Sequence, residues 1–197
     1  MREISPSSSH DCEEFLRLAS PMATQIAQQI REQKRLGARP LPSAAFIDQS
    51  NILQAAQRAK LLDHVAVLVD ENLFGRSEMC EQFAALLAKS LHLLGHPAQV
   101  ASGECSYFRD GVVAFTWQHY WVRIGAEVID ANTDCLAENP AVPTGICPRP
   151  YWGPIRNTPQ DRRLRGQVMS NMPYDADVET VWWPELKVWL GSGEFRA

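Results

Sequence analysis

The stretch Trp117-Gln118-His119-Tyr120-Trp121-Val122-Arg123-Ile124-Gly125-Ala126-Glu127-Val128-Ile129-Asp130 decides the fold. β-branched and aromatic residues alternate with polar ones over 112–124, which is strand patterning, and Gly125-Ala126 supplies a tight turn into a second strand over 127–131. With a two-residue turn there, Ile124 faces Glu127 and Val122 faces Ile129. His119 then falls opposite Asn132, and Asp130 becomes its diagonal neighbour on the same face. A carboxylate at that distance can accept a hydrogen bond from the ring, fix its tautomer and support an imidazolium. Asn132 and Asp134 share the parity and are alternative partners for the ring. A histidine in a strand is otherwise most simply a packed core or surface residue.

Upstream, Arg76-Ser77-Glu78-Met79-Cys80-Glu81-Gln82-Phe83-Ala84-Ala85-Leu86-Leu87 opens a helix. Ser77 is the expected cap and Glu78 suits the positive first turn. Phe83, Leu86, Leu87, Leu91 and Leu94 recur at steps of three and four, Gly95 ends the helix and Pro97 prevents its resumption. Cys80 is the third residue after that cap, where unpaired N–H groups and the helix dipole favour the thiolate, the nucleophilic form of cysteine. The plainer alternative is a small buried residue under a helix.

Further out, the pattern predicts an amphipathic helix over 21–34 stopped by Gly37, a turn at Pro40 and Pro42, and a helix over 50–62. The run 64–70 is ambiguous between helix and strand. A strand follows over 98–102. Pro140, Pro143, Pro148, Pro150 and Pro154 argue against central strands and long helices beyond residue 138. Arg156, Arg162, Arg163 and Arg165 read as a solvated face or a docking patch for an acidic protein. Trp182, Trp183 and Trp189 dock a short terminal helix. The expected organisation is a disordered serine-rich lead-in over 1–10 and one domain over 11–197, with its core at 72–132 and a wrapping segment at 138–197. The expected fold is α+β, with helices on one side of a small, mainly antiparallel sheet.

Composition narrows the function classes. At 45% hydrophobic and 21% charged residues with a net charge of -4, the chain resembles an ordinary globular protein and not a nucleic-acid-coating one. No apolar run is long enough to span a membrane, and the start lacks a secretory core. A reducing cytoplasm is therefore expected, with the serine-rich start readable also as an export signal of a bacterial effector. The five cysteines, at 12, 80, 105, 135 and 147, show no paired spacing. Neither a disulfide framework nor a zinc site built from Cys105, Cys135, Cys147 and His96 is expected, and no metal or organic cofactor is implied. Cys12 is expected on the surface or on a helix face. His92 and His96 are expected in solvent, and His64 at an element boundary.

The run Cys80-x-x-Phe83-Ala84-x-x-Leu87, then Leu94-Gly95-His96-Pro97-Ala98-x-Val100 and Gly103, then His119-x-Trp121-Val122 and Ile129-Asp130, resembles the core of the transglutaminase-like superfamily, relatives of papain. The resemblance implies that Cys80 is the nucleophile, His119 the general base and later acid, and Asp130 the orienting residue. It implies an amide hydrolase working through a thioester, either a peptidase or a protein glutamine deamidase acting on a protein or peptide. Acyl transfer to an amine and an inactive peptide-binding module are the alternatives. Glu78-Met79 departs from the short apolar or glycine-small pair that the family often has just before the cysteine. With Trp121, these two residues are candidates for the substrate cleft. Asn72, Gln118 and Asn132 are candidate oxyanion or support residues beside the backbone N–H of Cys80.

Overall fold

The computed structural model describes residues 41–70, 76–172 and 174–196. The lead-in, the helix expected over 21–34, Cys12 and Asn72 lie outside the described residues.

The fold is α+β. Six strands form one mixed sheet in the order β1-β5-β4-β3-β2-β6: β1 (Ile47–Asp48), β2 (Gln99–Arg109), β3 (Val112–Ile124), β4 (Glu127–Asp130), β5 (Tyr151–Pro154) and β6 (Arg162–Val168). Only β1 and β5 run parallel; the other neighbours are antiparallel. The helices are α1 (Ala55–Asp70), α2 (Cys80–Leu93), α3 (Trp183–Gly191) and the short α4 (Gly193–Arg196).

The register between β3 and β4 is the expected one: Ile124 pairs with Glu127, Arg123 with Val128 and Val122 with Ile129. The strand before it is longer than expected. β2 continues to Arg109 because Asp110 and Gly111, both at positive φ (52° and 79°), make a two-residue hairpin turn of the primed kind. That Asp-Gly pair between alternating runs is the signal that a strand ending at residue 102 overlooked.

Alternation sorts the sheet into two faces. Val100, Val122, Ile124, Ile129 and Trp152 pack with Leu61, Leu62 and Val65 of α1 and with Phe83, Leu86, Leu87 and Leu91 of α2. The run 64–70 belongs to α1, whose apolar repeat continues through Val65, Leu68 and Val69; the helix starts at Ala55, later than residue 50. Val178, Trp182, Leu186 and Leu190 dock the chain's end on the same core, as the tryptophans predict. His64 is no boundary residue: it lies within α1 and stacks on Trp189, with centroids 3.9 Å apart and planes 4° from parallel. Burial lowers its pKa.

The other face is closed by the segment after β4. Leu136, Val142 and Ile146 cover Cys105 and Tyr107, while Ala101, Trp121, Val128 and Tyr151 form a second apolar cluster. This is the wrapping segment, but its prolines do not keep it out of the sheet. β5 lies inside the sheet between β1 and β4. It is four residues long and carries its proline at its last position, where Pro154 faces Glu127.

Candidate functional site

The helix bearing Cys80 starts at Cys80 itself. Arg76–Glu78 form a separate 3-10 turn, and Met79 occupies the cap position without a side-chain hydrogen bond. Ser77 therefore does not cap the helix. Its hydroxyl is buried without a hydrogen-bond partner. Cys80 is the first residue of α2 and not the third after a cap. The first hydrogen bond of that turn runs from Phe83 N to Met79 O at 2.9 Å, so the N–H groups of Cys80, Glu81 and Gln82 precede it. At the far end Gly95, at φ 85°, passes its N–H to His92 O while His96 N reaches Leu91 O at 2.9 Å, a Schellman closure.

The start of α2 is fixed by Arg76, whose side chain is fully buried. Its Nε donates to Asp70 Oδ2 at 3.0 Å at the end of α1. Its Nη1 and Nη2 donate to the two carboxylate oxygens of Asp134 at 2.9 and 2.8 Å. Asn132 Nδ2 donates to Arg76 O at 2.8 Å, and the Cys135 thiol donates to Asn132 Oδ1 at 3.5 Å. Asn132 and Asp134 thus hold the approach to Cys80 and do not orient His119, to which neither is hydrogen-bonded. The ladder ends at Val122–Ile129, so Asn132 never reaches a position opposite the ring.

His119 and Asp130 meet as the register implies. His119 Nε2 lies 2.7 Å from Asp130 Oδ1, and both side chains are buried. By strand parity both stand on the face opposite the helices. β4 ends at Asp130, and Asn132 holds the turn before α2 just past that end. The Cys80 side chain is close enough to contribute to the ring's electrostatic environment. Burial opposes charge on the ring, but Asp130, by charge and by hydrogen bond, and then Cys80 outweigh it and raise the pKa of His119 to about 10. The ring is an imidazolium at neutral pH. For Asp130, burial pushes the pKa up, but His119 and Arg162 outweigh it and hold the carboxyl down at about 2.

Arg162 is the residue that sequence reasoning missed. It reads as part of a solvated arginine cluster, and Arg156, Arg163 and Arg165 are indeed exposed, yet Arg162 is buried. Its Nη1 donates to Asp130 Oδ2 at 2.8 Å, its Nη2 to Arg149 O at 2.5 Å and its Nε to Asp161 Oδ1 at 2.8 Å. Asp130 therefore holds an imidazole on one oxygen and a guanidinium on the other. A pairing across four strands leaves no mark at short range in the sequence; only the break in alternation at Arg162-Arg163 hints at it.

Glycines make room for this packing. Gly103 pairs with His119 on one side and Gly166 on the other. A Cβ on Gly166 would stand 2.1 Å from Ser102 O and 2.6 Å from the Trp121 ring. Trp121 packs against His119 at 6.2 Å between centroids and is itself buried, so it backs the histidine. Gln118 is exposed and, by alternation, points to the face away from the ring. Met79 packs on the helix core, and Glu78 Oε1 accepts from Asn139 Nδ2. Burial raises the pKa of Glu78, and the Asn139 bond opposes that shift. On the helix side, Tyr120 feels the charges of Glu81 and Cys80. Burial, then Glu81, then Cys80 raise the pKa of its phenol.

The remaining cysteines differ. Cys105 and Cys135 are buried, and burial with the charge of Asp130 pushes the Cys105 thiol up to about 12. Cys147 is exposed, and its pKa is raised by partial burial and by Asp134. His92 is exposed and His96 half-buried. Among the described residues no cluster of His, Cys, Asp and Glu is arranged to hold a metal ion, and no helix is long and apolar enough to cross a membrane. No family model matches the chain, and neither curated proteins nor solved structures give a match.

Proposed function

We propose that the protein is a cysteine-dependent amide hydrolase with a transglutaminase-like, papain-related core, in which Cys80 is the nucleophile, His119 the proton carrier and Asp130 its orienting carboxylate. The observation that carries this reading is the buried His119 ring, 2.7 Å from Asp130 Oδ1, with Cys80, the first residue of a helix, among the groups that raise its pKa. A thiolate beside an imidazolium is a competent resting state for acyl transfer. Because the ring is charged at neutral pH, His119 acts first as an acid.

In the first half-reaction the Cys80 sulfur bonds to the amide carbonyl carbon. The C–N bond breaks, and the nitrogen leaves with the His119 proton, giving a thioester. The developing oxyanion finds the N–H groups at the start of α2. In the second half, neutral His119 takes a proton from water, the hydroxide oxygen bonds to the carbonyl carbon, and the thiolate departs, restoring the ion pair. The favoured substrate is a protein or peptide amide. A backbone amide gives cleavage, and a glutamine side chain gives deamidation.

Incubating the protein with mixed peptides in heavy-oxygen water tests this directly. Hydrolysis through the thioester places one heavy oxygen in each new carboxyl group, and Cys80→Ala abolishes the label. Products carrying an amine instead of the label indicate acyl transfer. No label above the Cys80→Ala background, with no acyl adduct on Cys80 after rapid quenching, argues for a binding module.

A further inference from the structure

The sheet face opposite the helices carries a second feature, independent of the proposed chemistry. A cavity of about 210 Å³ opens there. Trp121, Val128, Ile155 and Leu164 give it apolar walls, and Arg123, Thr158, Arg162 and Arg163 are its polar side chains. None of the lining residues is acidic. Arg162 also reaches the cavity, but Asp130, Asp161 and the Arg149 carbonyl already occupy its guanidinium. Arg163 borders the cavity too, while its guanidinium lies over the Phe108 ring, 5.1 Å from the centroid.

Arg123 differs from these. Its Nε is buried without a hydrogen-bond partner, and no ion pair involves it among the described residues. By alternation it shares the face of His119 and Trp121, directly across from Val128. The Thr158 hydroxyl donates to Ile155 O at 2.7 Å, so among the lining side chains Arg123 carries the buried donor without a partner. A buried guanidinium nitrogen without a partner is costly, and the fork it belongs to matches a carboxylate.

We infer that this cavity binds a monocarboxylate carried on an apolar or aromatic body, with the carboxylate on Arg123 and the body against Trp121 and Leu164. The partnerless Nε of Arg123 matches a carboxylate, and the apolar walls match the body. The volume is below that of a site for a drug-sized ligand, so the ligand is small, or is the last residue of a peptide. Trp121 separates the site from His119, so the carboxylate sits behind the histidine and not beside Cys80.

The test is an NMR titration of the arginine Nε–H signals, with the Arg123 signal identified by its loss in Arg123→Gln. The probes are 3-phenylpropionate, a short peptide ending in free phenylalanine, the same peptide as its C-terminal amide, and inorganic phosphate. The expected result is a saturable shift of the Arg123 signal with 3-phenylpropionate, and a Kd weaker by about tenfold or more in Arg123→Gln, read by calorimetry. A shift with the free-acid peptide and none with its amide identifies a chain terminus as a source of the carboxylate, whereas response to phenylpropionate alone identifies the free acid. The inference is overturned if no acid shifts the signal at millimolar concentration, if phosphate does so equally well, or if Arg123→Gln binds unchanged. Arg123→Gln is expected to leave Cys80 alkylation at the wild-type rate, so loss of binding here is distinguishable from failure of the proposed chemistry.

Discussion

The two faces of the sheet are stabilised by different means. On the helix face, Val122, Ile124 and Ile129 meet Leu61, Phe83 and Leu87 in an apolar core. On the opposite face, a segment with little regular structure covers buried charges, and Asp130, His119 and Arg162 satisfy one another beneath it. Apolar burial is non-directional and tolerates substitution of similar volume, whereas a buried ionic group tolerates no loss of a partner. Stability is therefore spread over the first face, while on the second it is concentrated in Asp130, His119 and Arg162.

Removing one member of the charged set should have the largest effect. Arg162→Ala leaves Asp130 short of a buried counter-charge and is expected to cost about 3–5 kcal/mol in urea unfolding. It is also expected to lower the alkylation rate of Cys80 in the protein that remains folded. Leu87→Ala, on the helix face, is expected to cost about 2–5 kcal/mol while leaving that rate unchanged. Equal effects on reactivity would erase the distinction between the faces. Gly166→Ala forces a methyl against Ser102 O and the Trp121 ring and is expected to cost about 1–3 kcal/mol. The smallest effect separates two accounts of the helix start. A true cap at Ser77 would make Ser77→Ala cost about 1 kcal/mol, whereas a buried hydroxyl without a partner makes it neutral or slightly stabilising, the outcome expected here.

The faces also differ in pH response. His119 has a folded pKa raised from 6.5 to about 10, so its contribution to stability is complete below pH 6.5 and is lost as pH rises through about 10. Asp130 is held down from 3.8 to about 2, so its contribution is present above pH 3.8 and is lost as pH falls through about 2. Urea midpoints should thus fall on both sides of that window. His119→Gln should flatten the alkaline side if that side belongs to this ring.

Much of the helix face was legible in the sequence, since its apolar repeats are local: α2, β3 and the turn at Gly125 follow from spacing alone. The placing of His119 beside Asp130 was legible too, because a two-residue turn fixes the register of its hairpin. What escaped lies between distant segments. Arg162 reaches Asp130 from the other edge of the sheet, Arg76 joins α1 to the segment after β4, and β5 enters the sheet despite its prolines. Ser77 misled for a local reason: the residues that suit a cap also suit a 3-10 turn, and the choice is made by Arg76, whose burial pins that turn in place.

The most direct test is the rate at which iodoacetamide labels each cysteine in the native protein near neutral pH, followed by peptide mass analysis. Cys80 is expected to react much faster than Cys147, although Cys147 is the more exposed, while Cys105 and Cys135 stay protected and His119→Ala slows labelling at Cys80 alone. Equal rates at Cys80 and Cys147, or a Cys80 rate indifferent to His119→Ala, would contradict that expectation.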